Sequence, residues 1–131
     1  MSHITLRIDL DGHGSIGPGK IRLLELVGES GSIQKAATAM AMSYAHAWKL
    51  VQETSATFGT PLVDASAGGA KGGGTKLTEL GRKVVDLYRR AERQAAKAAE
   101  VEINALKKSA KGRGDRPRTI KPKREAKSPR A

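Results

Sequence analysis

The sequence predicts a mainly α-helical domain with one small β-hairpin, followed by a long helix, and three stretches carry that expectation. Residues 31–58 hold two helical patterns separated only by Met40-Ala41-Met42. Residues 62–77 hold two short β-prone pieces around a glycine-rich run. Residues 80–105 then repeat apolar side chains every three or four positions, the spacing of one helix face.

Taken in order, Ile4, Leu6, Ile8 and Leu10 alternate with Thr5, Arg7 and Asp9, the period of a strand with one buried face. Such a strand needs a partner. Asp11 to Gly19, with four glycines and Pro18, reads as a loop ending at a first helix whose opening turn accepts Pro18 or Gly19. Ile21, Leu23, Leu24, Leu26 and Val27 give that helix a broad apolar face, and Glu29-Ser30-Gly31 ends it. A face this wide suits a helix on which two others pack, so a three-helix core is expected.

Ser32 can cap the second helix, which carries Ile33, Ala36, Ala37 and Met40 on one side. Ser43 can cap the third, with Ala47, Leu50 and Val51 turned toward the second. The alanines at 36, 37, 39 and 41 permit the close, steep crossing of a helix-turn-helix, although an ordinary αα-hairpin would use the same pattern. Trp48, among small residues, reads as a core residue joining the helices, with a base contact as the lesser alternative.

Gly59 can end the third helix, and Pro61-Leu62-Val63 is β-prone. A hairpin with arms near Leu62 to Ala65 and Thr75 to Leu77, closed by the glycine-rich tip, would be a wing; a linker is the alternative. A nucleotide phosphate loop does not fit, because no Lys-Ser/Thr pair on a helix follows the glycines. Thr78 can cap a long helix with Glu79 in its first turn. Its apolar positions are Leu80, Val84, Leu87, Ala91, Gln94 or Ala95, Ala98, Val101 and Ala105. Run to Leu106, it would be about 40 Å long, more than a small core can cover. Its distal half therefore predicts a homodimer, with Val84, Leu87, Ala91, Ala98 and Val101 as interface residues.

Charge divides the chain at the same place. The 131 residues carry a net charge of +11. From Lys107 to Ala131 there are eleven Lys or Arg against Asp115 and Glu125, which leaves little charge for residues 1–106. We expect residues 1–106 to be one folded domain and residues 107–131 a disordered basic tail, whose few apolar side chains cannot offset the entropy of ordering. Such a tail strengthens binding to any polyanion without choosing a sequence. The absence of cysteine rules out disulfides, thiol catalysis and thiolate metal sites. His3 and His13 with Asp9 and Asp11 read as a solvated segment rather than a metal site. No paired acids, activated nucleophile or ligand cluster converges, so neither an enzyme nor a cofactor is expected. No run approaches the roughly 20 apolar residues of a membrane span, and a cytoplasmic, nucleoid-associated protein is expected.

The chemistry for a polyanionic partner is concentrated on the third helix. Ser43, Tyr44, His46 and Lys49 occupy its first turns on faces not needed by Ala47 and Val51, where they can meet phosphates and base edges in a major groove. Tyr44 as a core ring and Lys49 as a solvated charge are the plainer alternatives. Ser32 and Gln34 begin the second helix and could reach phosphate. On the wing, Gly69, Lys71, Gly72 and Gly73 offer bare backbone and one ammonium for close approach to a backbone or groove.

These motifs resemble a known family. GSI followed by AA, the SY-x-x-AW element at Ser43, Tyr44, Ala47 and Trp48, and the GG-x-x-GGG-x-x-LT element from Gly68 to Thr78 are similar to the N-terminal winged helix-turn-helix of ModE-type molybdate-responsive regulators, itself related to the LysR-type DNA-binding domain. The resemblance runs from Ile4 to about Ala105. It implies that the SY-x-x-AW helix reads double-stranded DNA, that the glycine-rich wing touches backbone or minor groove, and that the long helix dimerises. Full-length members carry molybdate-binding domains after this helix, whereas a basic tail follows here, and the resemblance to the family's shorter members implies a stand-alone form that answers to a separate effector or regulatory protein, competes for operators or binds constitutively. A dimeric, sequence-specific transcriptional regulator on a palindromic site is the leading expectation. An architectural, nucleoid-type DNA binder and a protein-interaction module are the alternatives.

Overall fold

The computed structural model describes residues 4–65 and 74–110. The N-terminal alternation finds its partner inside the segment expected to be a loop. Strand β1 (Ile8–Asp9) pairs antiparallel with β2 (Ser15–Ile16), Ile8 opposite Ile16 and Asp9 opposite Ser15. Asp11, Gly12 and Gly14 turn the chain with positive φ, and Leu10 N–H and His13 N–H close the turn on the Gly14 and Leu10 carbonyls. A two-residue ladder gives no alternation of its own to read, which is why β2 is hidden among glycines.

Helix α1 (Pro18–Ser30) starts with Pro in its first turn and ends at Gly31, whose φ of 74° lets its N–H return to the Val27 carbonyl. It is the central element because its broad apolar face divides between two clusters. Ile21 and Leu24 enter one with Ile16, Leu62, Leu77, Val84, Val85 and Tyr88. Leu23 and Val27 enter the other with Ile33, Ala36, Ala37, Ala47 and Val51. Burying side chains of this size stabilises the domain by about 1.5–3 kcal/mol each.

Helix α2 (Ile33–Ala39) and helix α3 (Tyr44–Phe58) form the expected helix-turn-helix. A second hairpin, β3 (Val63–Asp64) against β4 (Lys76–Leu77), sets Val63 opposite Leu77 and Asp64 opposite Lys76, at the place expected for the wing. Helix α4 (Glu79–Ala98) buries Gly81, Val84, Val85 and Tyr88. The Tyr88 hydroxyl donates to the Leu6 carbonyl at 2.6 Å, which ties the N-terminal segment to the core. Burial pushes that phenol's pKa up.

One ion pair ties α1 to α4. Arg89 grips Glu25 through two hydrogen bonds, Nε to Oε2 and Nη2 to Oε1, both 2.9 Å, while its Nη1 reaches Glu92 at 2.7 Å. The guanidinium holds the Glu25 carboxyl below its ordinary pKa, and Glu25 raises that of Arg89.

The helix expected to run unbroken to about Leu106 is divided. Helical geometry lapses at Ala99, and α5 (Glu100–Ser109) follows as a separate element with no buried residue. Glu100 and Glu102 in its first turn and Lys107 and Lys108 in its last complement its dipole, so the first residues read as tail are helical. Residues 111–131 lie outside the described residues.

Candidate nucleic-acid interface

The helix-turn-helix is built from local chemistry. Ser32 Oγ accepts from the Lys35 amide at 3.0 Å and opens α2, while Ser43 Oγ accepts from the His46 amide at 3.0 Å and opens α3. Between them the backbone bends through Ala41, whose φ of 57° is unusual for a residue with a Cβ. The Met42 amide bonds the Ala37 carbonyl at 3.0 Å, fixing the angle at which α3 leaves. Ala36, Ala37 and Ala47 are fully buried at the crossing, as their size requires.

The two faces of α3 are clearly divided. Ala47, Val51 and Thr54 are buried, and Thr54 satisfies its hydroxyl on the Leu50 carbonyl at 2.7 Å. Tyr44, Ala45, His46, Trp48, Lys49, Gln52, Glu53 and Ala56 are exposed. Tyr44, His46 and Lys49 thus stand free for a partner. Ser43 is exposed and keeps its hydroxyl proton available while capping the helix. Ser32 is half-buried and occupied by its cap, and Gln34 is exposed at the start of α2.

Trp48 is the correction. It is 38 % exposed, not part of the core, because it lies one residue and therefore about 100° beyond Ala47, on the flank of Tyr44 four residues earlier. Ala45 and Gln52 also belong to the exposed face, and sequence reasoning passes over both. Once Ala47 and Val51 define the buried face, the same 3.6-residue period places Ala45, Lys49 and Gln52 along the opposite ridge.

The wing is anchored on three sides. Leu62 N–H donates to Ser55 Oγ of α3 at 3.1 Å, and Thr75 N–H donates to the Gly31 carbonyl at 2.9 Å. Thr78 donates its hydroxyl to the Pro61 carbonyl and its amide to the Leu62 carbonyl, both at 2.9 Å, and its Oγ1 accepts from the Gly81 amide at 3.0 Å. Gly81 is required there: a Cβ would collide with the Leu62 carbonyl oxygen. Gly69, Lys71, Gly72 and Gly73 lie outside the described residues.

Of the residues expected at a dimer contact, Val84 is buried in the domain's own core, Leu87 is 48 % exposed, Ala91 is half-buried and Ala98 is exposed. On α5, Val101 is 76 % exposed. Among the described residues no group of three or more His, Asp or Glu could hold a metal ion, and no helix is long and apolar enough to cross a membrane.

Residues 19–82 match the family model for the bacterial regulatory helix-turn-helix protein, lysR family. That span runs from α1 through the wing into α4. The chain therefore contains a winged helix-turn-helix related to those of LysR- and ModE-type regulators. Among curated proteins, the molybdenum transport protein ModE of Azotobacter vinelandii is 39 % identical over 87 residues, covering 66 % of this chain and 32 % of that protein. The molybdenum-pterin-binding protein MopB of Rhodobacter capsulatus is 38 % identical over 82 residues, 63 % of this chain and 30 % of that one. The DNA-binding transcriptional dual regulator ModE of Escherichia coli K12 is 33 % identical over 87 residues, 66 % of this chain and 33 % of its own. The chain thus spans about a third of the length of these relatives. Among solved structures, the CbnR_DBD–DNA complex aligns with a TM-score of 0.53 at 20 % identity, covering 67 % of this chain and 95 % of that chain. VV2_1132, a LysR family transcriptional regulator, aligns at 0.51 and 22 %, covering 63 % of this chain and 26 % of that one. At these identities the two structures speak for the fold of the winged helix-turn-helix.

Proposed function

We propose that this protein is a sequence-specific, double-stranded DNA-binding transcriptional regulator of the ModE-like kind, acting as a dimer on a palindromic site. The observation that carries the reading is the exposed face of α3, whose N-terminal turns from Ser43 to Gln52 present Ser, Tyr, His, Trp, Lys and Gln, with Glu53 the first acid beyond them. These are groups able to hydrogen-bond or pack against base edges in a field that favours a polyanion.

In this reading Tyr44, His46 and Lys49 read the major groove, with Ser43, Ser32 and Gln34 positioning the domain on phosphates. The wing supplies backbone or minor-groove contact through Gly69, Lys71, Gly72 and Gly73. Leu87, Ala91, Ala98 and Val101 meet their copies in a second subunit, and Val84 supports α4 from within the core. Residues 107–131 add sequence-independent affinity, and the protein works in the cytoplasm at the nucleoid without a cofactor or catalytic step. Control by a separate effector or regulatory protein is part of the proposal.

The concentration of charge in residues 107–131 favours a second reading, an architectural DNA binder. Competition between a selected duplex and random duplex at one physiological salt concentration separates the two. A regulator prefers its site by about 10³-fold or more, and an architectural protein does not. Genome-wide occupancy gives the same division as a few sharp palindromic sites or a diffuse coating.

A further inference from the structure

The chain has four aromatic side chains. Tyr88 and Phe58 pack in the core, whereas Tyr44 and Trp48 stand 49 % and 38 % exposed one turn apart on α3. A single exposed aromatic is ordinary in a soluble domain, but two at i and i+4, on the flank next to Lys49 and Gln52, form a surface suited to a partner. Ser55 locates that surface. It lies seven residues after Trp48, two turns along the same flank, and it accepts the Leu62 amide at the base of the wing. The aromatic flank is therefore the side of α3 from which the wing departs, and Lys49 and Gln52 lie just around the helix from it.

Resting on the reading of α3 as the helix that enters the major groove, we propose that Trp48 is a specificity-determining residue that packs against the 5-methyl group of a thymine on the wing side of the base pairs met by Lys49. The major-groove edges display hydrogen-bond donors and acceptors at all four base pairs, and the thymine methyl is the apolar group among them. An indole that offers an apolar face and no acceptor is matched to that methyl. A protein partner for the same flank would have to be acidic to suit Lys49, and the flank lies where a duplex held by α3 and the wing would already cover it.

Trp48 is the chain's single tryptophan, so its emission reports on this flank alone. Wild-type protein, Trp48→Phe and Trp48→Ala would be titrated with a duplex selected by the wild type from a random pool, and with versions in which each thymine is replaced by deoxyuridine. One deoxyuridine position per half-site should weaken the wild type by about fourfold, the worth of one buried methyl. Trp48→Phe should keep most of that sensitivity. Trp48→Ala should bind the parent duplex more weakly, lose the sensitivity at that position, and keep the wild-type melting temperature. Trp48 emission should shift to the blue on duplex addition and return in high salt. The inference is overturned if Trp48→Ala keeps the wild-type deoxyuridine profile, if no thymine responds, or if the emission of the free protein is already that of a buried indole and does not move. A wild type that selects no duplex at all would bring down the DNA-binding reading itself, an outcome visible before any variant is made.

Discussion

Replacing Glu25 by Gln should make the stability of the domain depend less on acid, by an amount set by the grip of Arg89. The carboxylate accepts two 2.9 Å hydrogen bonds from that guanidinium and a third, at 3.2 Å, from Arg22. Its side chain is 19 % exposed and that of Arg89 29 %. An exposed pair contributes less than about 1 kcal/mol and breaking a fully buried one costs about 3–5, so a pair of intermediate burial, whose Gln replacement keeps one acceptor and the same volume, should lose about 1–2 kcal/mol. For a domain of this size that lowers the melting temperature by roughly 5–15 °C. Because Glu25 has a lowered pKa in the folded state, its contribution is fully present above the ordinary value of 4.5 and is lost as pH falls through the folded-state value. Urea unfolding at pH 7 and at intervals down to pH 3 would follow it. Wild type and variant should differ by the full amount at pH 7 and converge at the acid end, where the wild-type carboxyl is also neutral. A gap that persists unchanged at pH 3, or is absent at pH 7, would refute the assignment of the effect to this ion pair.

Gly81→Ala should destabilise the domain by about 1–3 kcal/mol in chemical denaturation, because its Cβ would displace the Leu62 carbonyl that joins the wing to α4; an unchanged midpoint would mean the joint yields freely. Leu87→Glu should leave the melting temperature nearly intact and dissociate the proposed dimer in light scattering, whereas Val84→Glu should unfold the domain, since only Leu87 of the two is exposed. Lys49→Ala or Tyr44→Ala should reduce the ratio of operator to random-duplex affinity, a good base contact being worth about 1–3 kcal/mol of discrimination, while Lys71→Ala should weaken both duplexes together; competition titrations showing the reverse would move sequence reading from the helix to the wing. Removing residues 111–131 should lower affinity for all duplexes by similar factors and flatten log K against log salt, by about 0.9 for each phosphate that is no longer neutralised.

What can be read from the sequence follows from how each feature is encoded. The helix-turn-helix is legible because two Ser caps and the alanines at 36, 37 and 47, buried at the crossing, are local signals, although Ala39 and Ala41 of the same stretch are exposed. The wing is legible because a glycine-rich stretch between β-prone pieces has few other uses in a folded domain. The strand β2 is not, since two residues carry no period. The break at Ala99 is not either, because no Gly or Pro marks it and its neighbours Ala98 and Glu100 are strong helix formers. Trp48 misleads for a different reason. A large apolar side chain is assigned to the core by its transfer free energy, but the direction it points is fixed by the residues that must be buried, and Ala47 and Val51 take the inward positions on α3. Small residues thus decide where the large one goes. The tight crossing with α2 requires alanine at position 47, and with the inner face given to alanine and valine the indole is left on the flank beside the wing. The packing constraint that makes the helix-turn-helix close is therefore the same constraint that sets an aromatic surface beside Lys49, so the core of this domain and the chemistry of its exposed helix follow from one choice of residue size.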